Sequence, residues 1–563
     1  MPSELDMRLR AANAALTSSQ GPFRTGKTVR DGIEMPIIET APASLPDYYA
    51  HFCAQHGDAI FLVDGDHRLS FSESHRLATR LAKALVASHG VAKGDRVGIA
   101  MRNAAAWVIS YMAIHMAGGV ATLLNGWWQP GELAEGIADT ATRLVIADEA
   151  RCDRIAQSAA EARVLCVDLD RHPDDALAGI IGSDDLDAVA LPALDGDDLA
   201  TILFTSGSTG KSKGAFSCHR AVVQGTFNYL VQTSSILMLL TEDGKPPVGQ
   251  PATIVNTPLF HVTAEVPVFL QSFGMGRKLV MMPKWDAEEA MRLIEAEQIT
   301  YFVGVPLMSY EMLVHPNRAH YDLSSCALFA AGGAPRPPEH VRRLSEGMGG
   351  GQPVLGYGLT ETNAIGCGNI STNYLAKPNS TGTPSLPLVD MAILDDSGTK
   401  LPQGAVGEVA IRSIANFEGY WQNEAATREA FSDDGYFRTG DLGYLDEDDY
   451  LFIVDRKKDI IIRGGENISG LEVEAAIYEH PAIAECSVFA LPHDRFGEVP
   501  GAAVHFHEGQ QIPPEALRQF LSERLAAFKL PERIFVHDGP LPRGGTEKID
   551  KKALRERYAA EQV

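Results

Sequence analysis

The sequence predicts an α/β protein: a large layered α/β N-terminal domain followed by a small α+β C-terminal domain. Three observations predict it. At 563 residues the chain is too long for one core. From residue 46 to 455, helical patterns alternate with short apolar runs, as in substantially parallel sheets covered by helices. Near Asp455 the pattern changes. A dense charged run, Asp455-Arg456-Lys457-Lys458-Asp459, separates two apolar runs and precedes elements of its own.

Residues 1–45 read as an irregular lead-in. Residues 72–88 and 287–298 read as helices, and 96–100, 144–147, 200–204, 253–256, 278–282 and 301–305 as strands. Residues 104–124 carry no Asp, Glu, Lys or Arg and are long enough to cross a membrane. They also contain His115, Gly118-Gly119 and Thr122, and Asn103 stands where a helix cap would. The reading is a buried helix running into a short strand, with a membrane span as the alternative. Beyond the charged run, 484–491 and 501–506 read as strands. Residues 514–528 place Leu517, Phe520, Leu521, Leu525 and Phe528 on one helical face. The domains are thus 1–45, 46–455 and 456–563, with a hinge near Lys458. The alternative is a charged turn inside one larger domain.

An apolar content of 45% and a charged content of 22% are ordinary for a soluble globular protein. The net charge of −24 argues against nonspecific binding to nucleic acid or anionic membrane, and neither a nucleic-acid partner nor stable membrane insertion is expected. Positive charge for an anionic ligand must therefore be local, at Lys211, Lys213, Arg456 and Lys548. The seven cysteines are scattered, odd in number and without a CxxC pair, so neither a zinc site nor a disulfide framework is indicated. Residues 1–10 lack a signal-peptide core, and a reducing, cytoplasmic setting is expected.

The most informative stretch follows the 200–204 run: Thr205, Ser206, Gly207, Ser208, Thr209, Gly210, Lys211, Ser212, Lys213. Glycines admit an anion to the backbone, hydroxyls and N–H groups donate to it, and lysines supply point charge. Gly207 and Gly210-Lys211 are too close together for the nucleotide-kinase P-loop. Further segments join this loop in order: Pro258-Leu259-Phe260-His261, Gly332-Gly333-Ala334-Pro335, Gly356-Tyr357-Gly358-Leu359-Thr360-Glu361-Thr362, Tyr436-Phe437-Arg438-Thr439-Gly440-Asp441, Gly464-Gly465-Glu466-Asn467 and Pro542-Arg543-Gly544-Gly545-Thr546-Glu547-Lys548. Each is a weak signal alone.

Together, over roughly residues 50–560, they resemble the adenylate-forming superfamily of acyl-CoA synthetases, peptide-synthetase adenylation domains and luciferases. The resemblance implies a mobile C-terminal domain and a two-step reaction. A carboxylate attacks the α-phosphate of ATP, and a thiol then attacks the acyl carbon. By this resemblance 205–213 would hold the β and γ phosphates, and Lys548 would reach both the carboxylate and the α-phosphate. Glu361 and Thr360 would hold Mg²⁺ and phosphate oxygens. Gly356 belongs to the adenine-binding run, Tyr357 would stack on adenine, and Gly332, Gly333, Ala334 and Pro335 would form the other wall. Asp441 would accept from the ribose hydroxyls, Arg456 would contact ribose or phosphate, Lys458 would be the hinge, and Gly464-Gly465 would line a pantetheine channel for coenzyme A. His261 would gate the acyl carbon, its alternative being a core histidine. Two departures stand out: Glu547 where the family has Gly, and Gly470 where it has Pro.

The segments 262–269, 301–306 and 364–368, candidates for the acyl pocket, are apolar or small and carry no Lys or Arg. Glu265 either binds an amine or hydroxyl or points away. The expected reaction is ATP-dependent ligation of a medium- or long-chain fatty acid, or a similarly bulky apolar acid, to coenzyme A. The alternatives are an aryl acid of benzoate or cinnamate type, or a stand-alone acyl-AMP ligase serving a carrier protein. Partners are then the small-molecule acid, ATP and CoA, and a homodimer is compatible with the reading.

Overall fold

The computed structural model describes residues 2–183, 185–205, 212–246, 248–334, 336–544 and 548–560. Among these, two large sheets form the body of the N-terminal region. One runs Gly419–Tyr420, Lys213–Cys218, Leu199–Thr205, Val120–Leu123, Arg96–Ala100, Leu144–Asp148, Arg163–Val167, and its last five strands are mutually parallel. The other has a parallel centre of Gln352–Gly358, Leu328–Gly332, Tyr301–Gly304, Ala252–Val255, Lys278–Met281 and Ile60–Asp64, with antiparallel strands at both edges. Both faces of such strands are covered, which is why they read as continuous apolar runs.

The charge-free stretch resolves as the helix Ala105–Met116, buried at every residue, followed by the strand Val120–Leu123. The helix packs against strands of both sheets, so it is apolar all round for want of a solvent face. Among the described residues no helix is long and apolar enough to cross a membrane. Asn103 does not cap this helix. Its amide donates to the carbonyls of Val255 and Thr257, and its oxygen accepts from Leu259 N–H, tethering the segment that leads to His261. Ala105 N–H donates instead to Asp64.

The lead-in is not irregular. Ser3 and Asp6 form a capping box at the start of the helix Glu4–Thr17, and a hairpin pairs Thr25–Arg30 with Ile33–Ile38. Asp31-Gly32 makes its two-residue turn with φ of 52° and 80°, a turn signal visible in the sequence. Asp6 is buried and accepts from Tyr450 O–H and Asn373 Nδ2, partners far along the chain that no local pattern announces. The cysteine reading also needs correction: Cys152 and Cys166 form a disulfide. Their separation hides the pairing, because the helix Glu149–Ala156 and the strand Arg163–Val167 are brought together only by the fold.

After an antiparallel sheet of Asp390–Leu394, Gly407–Arg412, Phe437–Leu445 and Leu451–Arg456, the chain forms a sheet of Ile461–Arg463, Glu466–Ile468, Ile483–His493, Gly497–Phe506 and Arg533–Val536. This C-terminal sheet has its own apolar core, including Val473, Ile477, Val488, Leu517 and Leu521. The expected helix 514–528 ends at Ser522. Leu525 and Phe528 reach the same core from a turn and a 3₁₀ segment, so the apolar period outlasts the helix.

Candidate active site

The phosphate-type loop is the connection of a hairpin: Leu199–Thr205 pairs antiparallel with Lys213–Cys218, and Thr205 stands opposite Lys213. Ser206, Gly207, Ser208, Thr209, Gly210 and Lys211 lie outside the described residues, as do Pro335 and Glu547. Lys213 lies over the Tyr420 ring at 4.9 Å, and Tyr420 O–H donates to Glu361 Oε1 at 2.8 Å. The loop is thus linked to Glu361 through a tyrosine that the sequence reading missed. Tyr420 joins this edge through the short strand Gly419–Tyr420, a pairing of two residues too brief to leave a pattern. Burial holds the Glu361 carboxyl above the ordinary range, while the Tyr420 hydrogen bond and the Arg456 charge pull the other way.

Toward one edge of the larger sheet, register aligns three glycines. Gly332 stands beside Gly356, and Gly356 beside Gly368. A Cβ at Gly356 would meet only Ala331 O at 4.0 Å, and one at Gly368 only Leu355 O at 4.0 Å. The strip therefore has no side chains of its own; at Gly332 a Cβ would meet Gly356 O at 3.4 Å and Thr263 Cγ2 at 3.9 Å. Tyr357 and Thr360 follow it directly. Ala334 extends the chain from Gly333 at its edge.

Asp441 and Arg456 are opposite partners on the antiparallel strands Phe437–Leu445 and Leu451–Arg456. Arg456 Nε lies 3.0 Å from Asp441 Oδ1, and Tyr357 O–H donates to Oδ2 at 2.7 Å. Each oxygen keeps a further lone-pair direction for a hydroxyl. Asp441 is buried, and that burial raises its pKa against the lowering effect of Arg456.

Lys548 comes from the C-terminal region and reaches into this group. A Cβ at Gly333 would stand 2.9 Å from Lys548 Cε and 3.0 Å from Nζ, and Gly333 has φ of 76°. Position 333 is thus glycine for backbone and for space. The lysine's own loop is short. Gly544 N–H donates to the Lys548 carbonyl at 2.8 Å, and Glu485 holds Leu541 N–H and the Arg543 guanidinium. Burial and the Arg456 charge lower the Lys548 pKa to about 8, opposed by Asp441.

His261 caps the short helix Val262–Ala264, its Nδ1 accepting from Thr263 N–H at 3.2 Å, which leaves the proton of the neutral ring on Nε2. Burial and then the Lys548 charge lower its pKa to about 3. Glu265 points away from this region. It opens a π-helical turn, Glu265–Leu270, that accommodates Pro267, and it accepts from Tyr111 O–H at 2.6 Å inside the core. Burial raises its pKa to about 7.

Gly464 and Gly465 are the two turn residues of the hairpin joining Ile461–Arg463 to Glu466–Ile468, with φ of 60° and 95°. Their first requirement is the left-handed backbone of that turn. Lys458 is exposed in the turn that follows Arg456.

Residues 49–421 match the AMP-binding enzyme family, and 472–548 match the AMP-binding enzyme C-terminal domain. The chain belongs to the AMP-binding enzyme family. A feruloyl-CoA synthase of an Amycolatopsis species is 34% identical over 88% of this chain and 95% of its own length. A long-chain-fatty-acid–CoA ligase of Mycobacterium tuberculosis is 32% identical over 88% of this chain and 94% of its own. The crystal structure of ATP-bound MatB from Rhodopseudomonas palustris, 29% identical, superimposes with a TM-score of 0.80, covering 92% of this chain and all of its own. The expectations of an α/β fold with a smaller C-terminal domain and of an AMP-forming acid–thiol ligase are thereby borne out.

Proposed function

We propose that this enzyme activates a bulky apolar carboxylic acid, of medium- or long-chain fatty type, with ATP and transfers the acyl group from AMP to coenzyme A. The observation that carries the reading is Lys548 lying against Gly333, beside the Tyr357–Asp441–Arg456 group and within the electrostatic reach of His261. A carboxylate and a triphosphate repel each other, so the first step needs preorganised positive charge more than proton transfer. Lys548 supplies it where the attacking oxygen meets the α-phosphate. The glycine strip of 332, 356 and 368 leaves room for flat groups, and Asp441 has acceptor capacity for ribose hydroxyls. His261, neutral with its proton on Nε2, would donate to the acyl oxygen.

Glu361 suits Mg²⁺: it is a buried carboxylate held by a tyrosine hydroxyl, with no ion pair among the described residues. Glu361 and Thr360 would hold the ion together with phosphate oxygens, and the ion would supply charge neutralisation there. The hinge is proposed at Lys458. Rotation of the residues beyond it would withdraw Lys548 and open the way for the thiol, with Gly464-Gly465 beside the pantetheine arm. An aryl acid is the second reading, favoured by the 34% identity to a feruloyl-CoA synthase.

The test is pyrophosphate release by the purified protein across aliphatic, alicyclic, benzoate-type and cinnamate-type acids, with and without CoA. The proposal expects release with bulky apolar acids and a thioester only when CoA is present. Release with small polar acids alone would overturn the substrate class. Acyl-AMP that CoA cannot consume would favour service to a carrier protein.

A further inference from the structure

Asp455 opens the charged run at the end of the strand Leu451–Arg456 and is 2% exposed. The groups that satisfy its Oδ2 come from beyond that run. Gly470 N–H donates to Oδ2 at 2.6 Å and Leu471 N–H at 3.4 Å, while Oδ1 takes the N–H of Arg456 at 2.7 Å. Beside them Ser469 Oγ donates to Val454 O at 2.7 Å. The helix Gly470–Tyr478 therefore starts against a carboxylate from another part of the chain. Ser469, its own cap, is left to take Glu472 N–H. Lys551 completes the group. It pairs with Glu474 at 3.0 Å, and its Nζ lies 3.6 Å from where a Cβ of residue 470 would be. Lys551 opens the helix Lys551–Ala560, three positions after Lys548.

We infer that Asp455 is a positioning residue for Lys548: through the N–H groups of Gly470 and Leu471 it latches the C-terminal region in the orientation that brings Lys548 to the adenylation site. The inference rests on the ligase reading above. A rotation about Lys458 leaves Val454 and Asp455 on their strand and carries Ser469, Gly470 and Leu471 away, so the bonds between them belong to one orientation only. The latch depends on residue 470 not being proline. Proline suits the first position of a helix, and Ser469, with ψ of 121°, suits the position before it. Proline has no N–H, however, and its ring would occupy the space that the Asp455 oxygen fills at 2.6 Å.

The test compares Gly470→Pro and Asp455→Asn with Gly470→Ala in the full-length protein. Gly470→Ala keeps the N–H and brings a Cβ to 3.3 Å from Val488 O. Two readouts are used. One is the ratio of acyl-AMP formation to thioester formation from supplied acyl-AMP. The other is the distance distribution between spin labels at Glu346→Cys and Glu508→Cys, both exposed positions, in protein without substrate. Losing a hydrogen bond to a buried charge shifts a two-state balance by about ten-fold or more. Gly470→Pro and Asp455→Asn should lower the ratio by that factor and populate a second distance, while Gly470→Ala behaves as the parent. A parental ratio and distance distribution in both variants would overturn the latch. So would equal loss of both half-reactions with the distances unchanged. If Gly470→Pro melts early, Asp455→Asn decides by the same readouts. If the parent releases no pyrophosphate with any acid, the ligase reading fails, and the substrate-free distances still judge the latch.

Discussion

Raising the pH titrates Lys548 directly. A free lysine holds its proton to about 10.5, but burial and the Arg456 charge bring this one to about 8, with Asp441 opposing. The kcat/KM for acyl-AMP formation reports the free enzyme, so it should fall above about pH 8 with a limiting slope of one decade per pH unit. At pH 10 the loss is about a hundred-fold. The kcat profile should turn down at higher pH, because bound triphosphate and carboxylate favour the protonated amine. Unfolding does not mimic this limb. The folded-state pKa lies below the unfolded one, so the unfolded chain binds more protons between about 8 and 10.5, and the Lys548 contribution to stability rises across that window. The assay is initial-rate pyrophosphate release at sub-saturating acid, with melting curves at each pH. Lys548→Arg is the control, since arginine stays charged: its rate is low, but the basic limb disappears. A flat wild-type profile to pH 10, or an unchanged limb in Lys548→Arg, would refute the reasoning.

Other predictions follow from single contacts. Gly333→Ala puts a methyl 2.9 Å from Lys548 Cε at a φ of 76°. It should cost about 1 kcal/mol of stability from the backbone while slowing acyl-AMP formation far more than thioester formation, and equal slowing of both steps would count against it. Tyr420→Phe leaves the buried Glu361 without its hydroxyl donor. The Mg²⁺ concentration needed for half-maximal pyrophosphate release should rise by about ten-fold, and an unchanged Mg²⁺ titration would argue that Glu361 does not meet the metal. Gly465→Asn retains a residue tolerant of positive φ while adding bulk where no atom lies within 4 Å. Loss of thioester formation with acyl-AMP formation intact supports the channel role, and survival of both steps makes the glycine a turn residue only.

Much of the site was legible because its parts are loops at strand ends. The run before Thr205 is a buried strand in the place expected, and Gly332 and Gly356 stand side by side for reasons visible in the sheet register. The links between those loops were not legible. Asp441 meets Arg456 only because two strands pair in one antiparallel register, and Glu361 meets Tyr420 only through a two-residue strand at a sheet edge. Glu265 was left open between pocket and core because its direction depends on a π-helical turn, a local change of period invisible in composition. The lead-in was misread for a similar reason. Its buried Asp6 is satisfied by Tyr450, a partner far along the chain that no local pattern predicts.

The central claim is that Lys548 serves the meeting of carboxylate and phosphate and not the arrival of the thiol. Lys548→Ala tests it, with acyl-AMP formation and thioester formation from supplied acyl-AMP measured separately on the acid that the panel selects. Removing a preorganised charge should lower acyl-AMP formation by a factor of about 10² to 10³ and leave thioester formation near the parental rate. Equal loss in the two half-reactions would contradict the account.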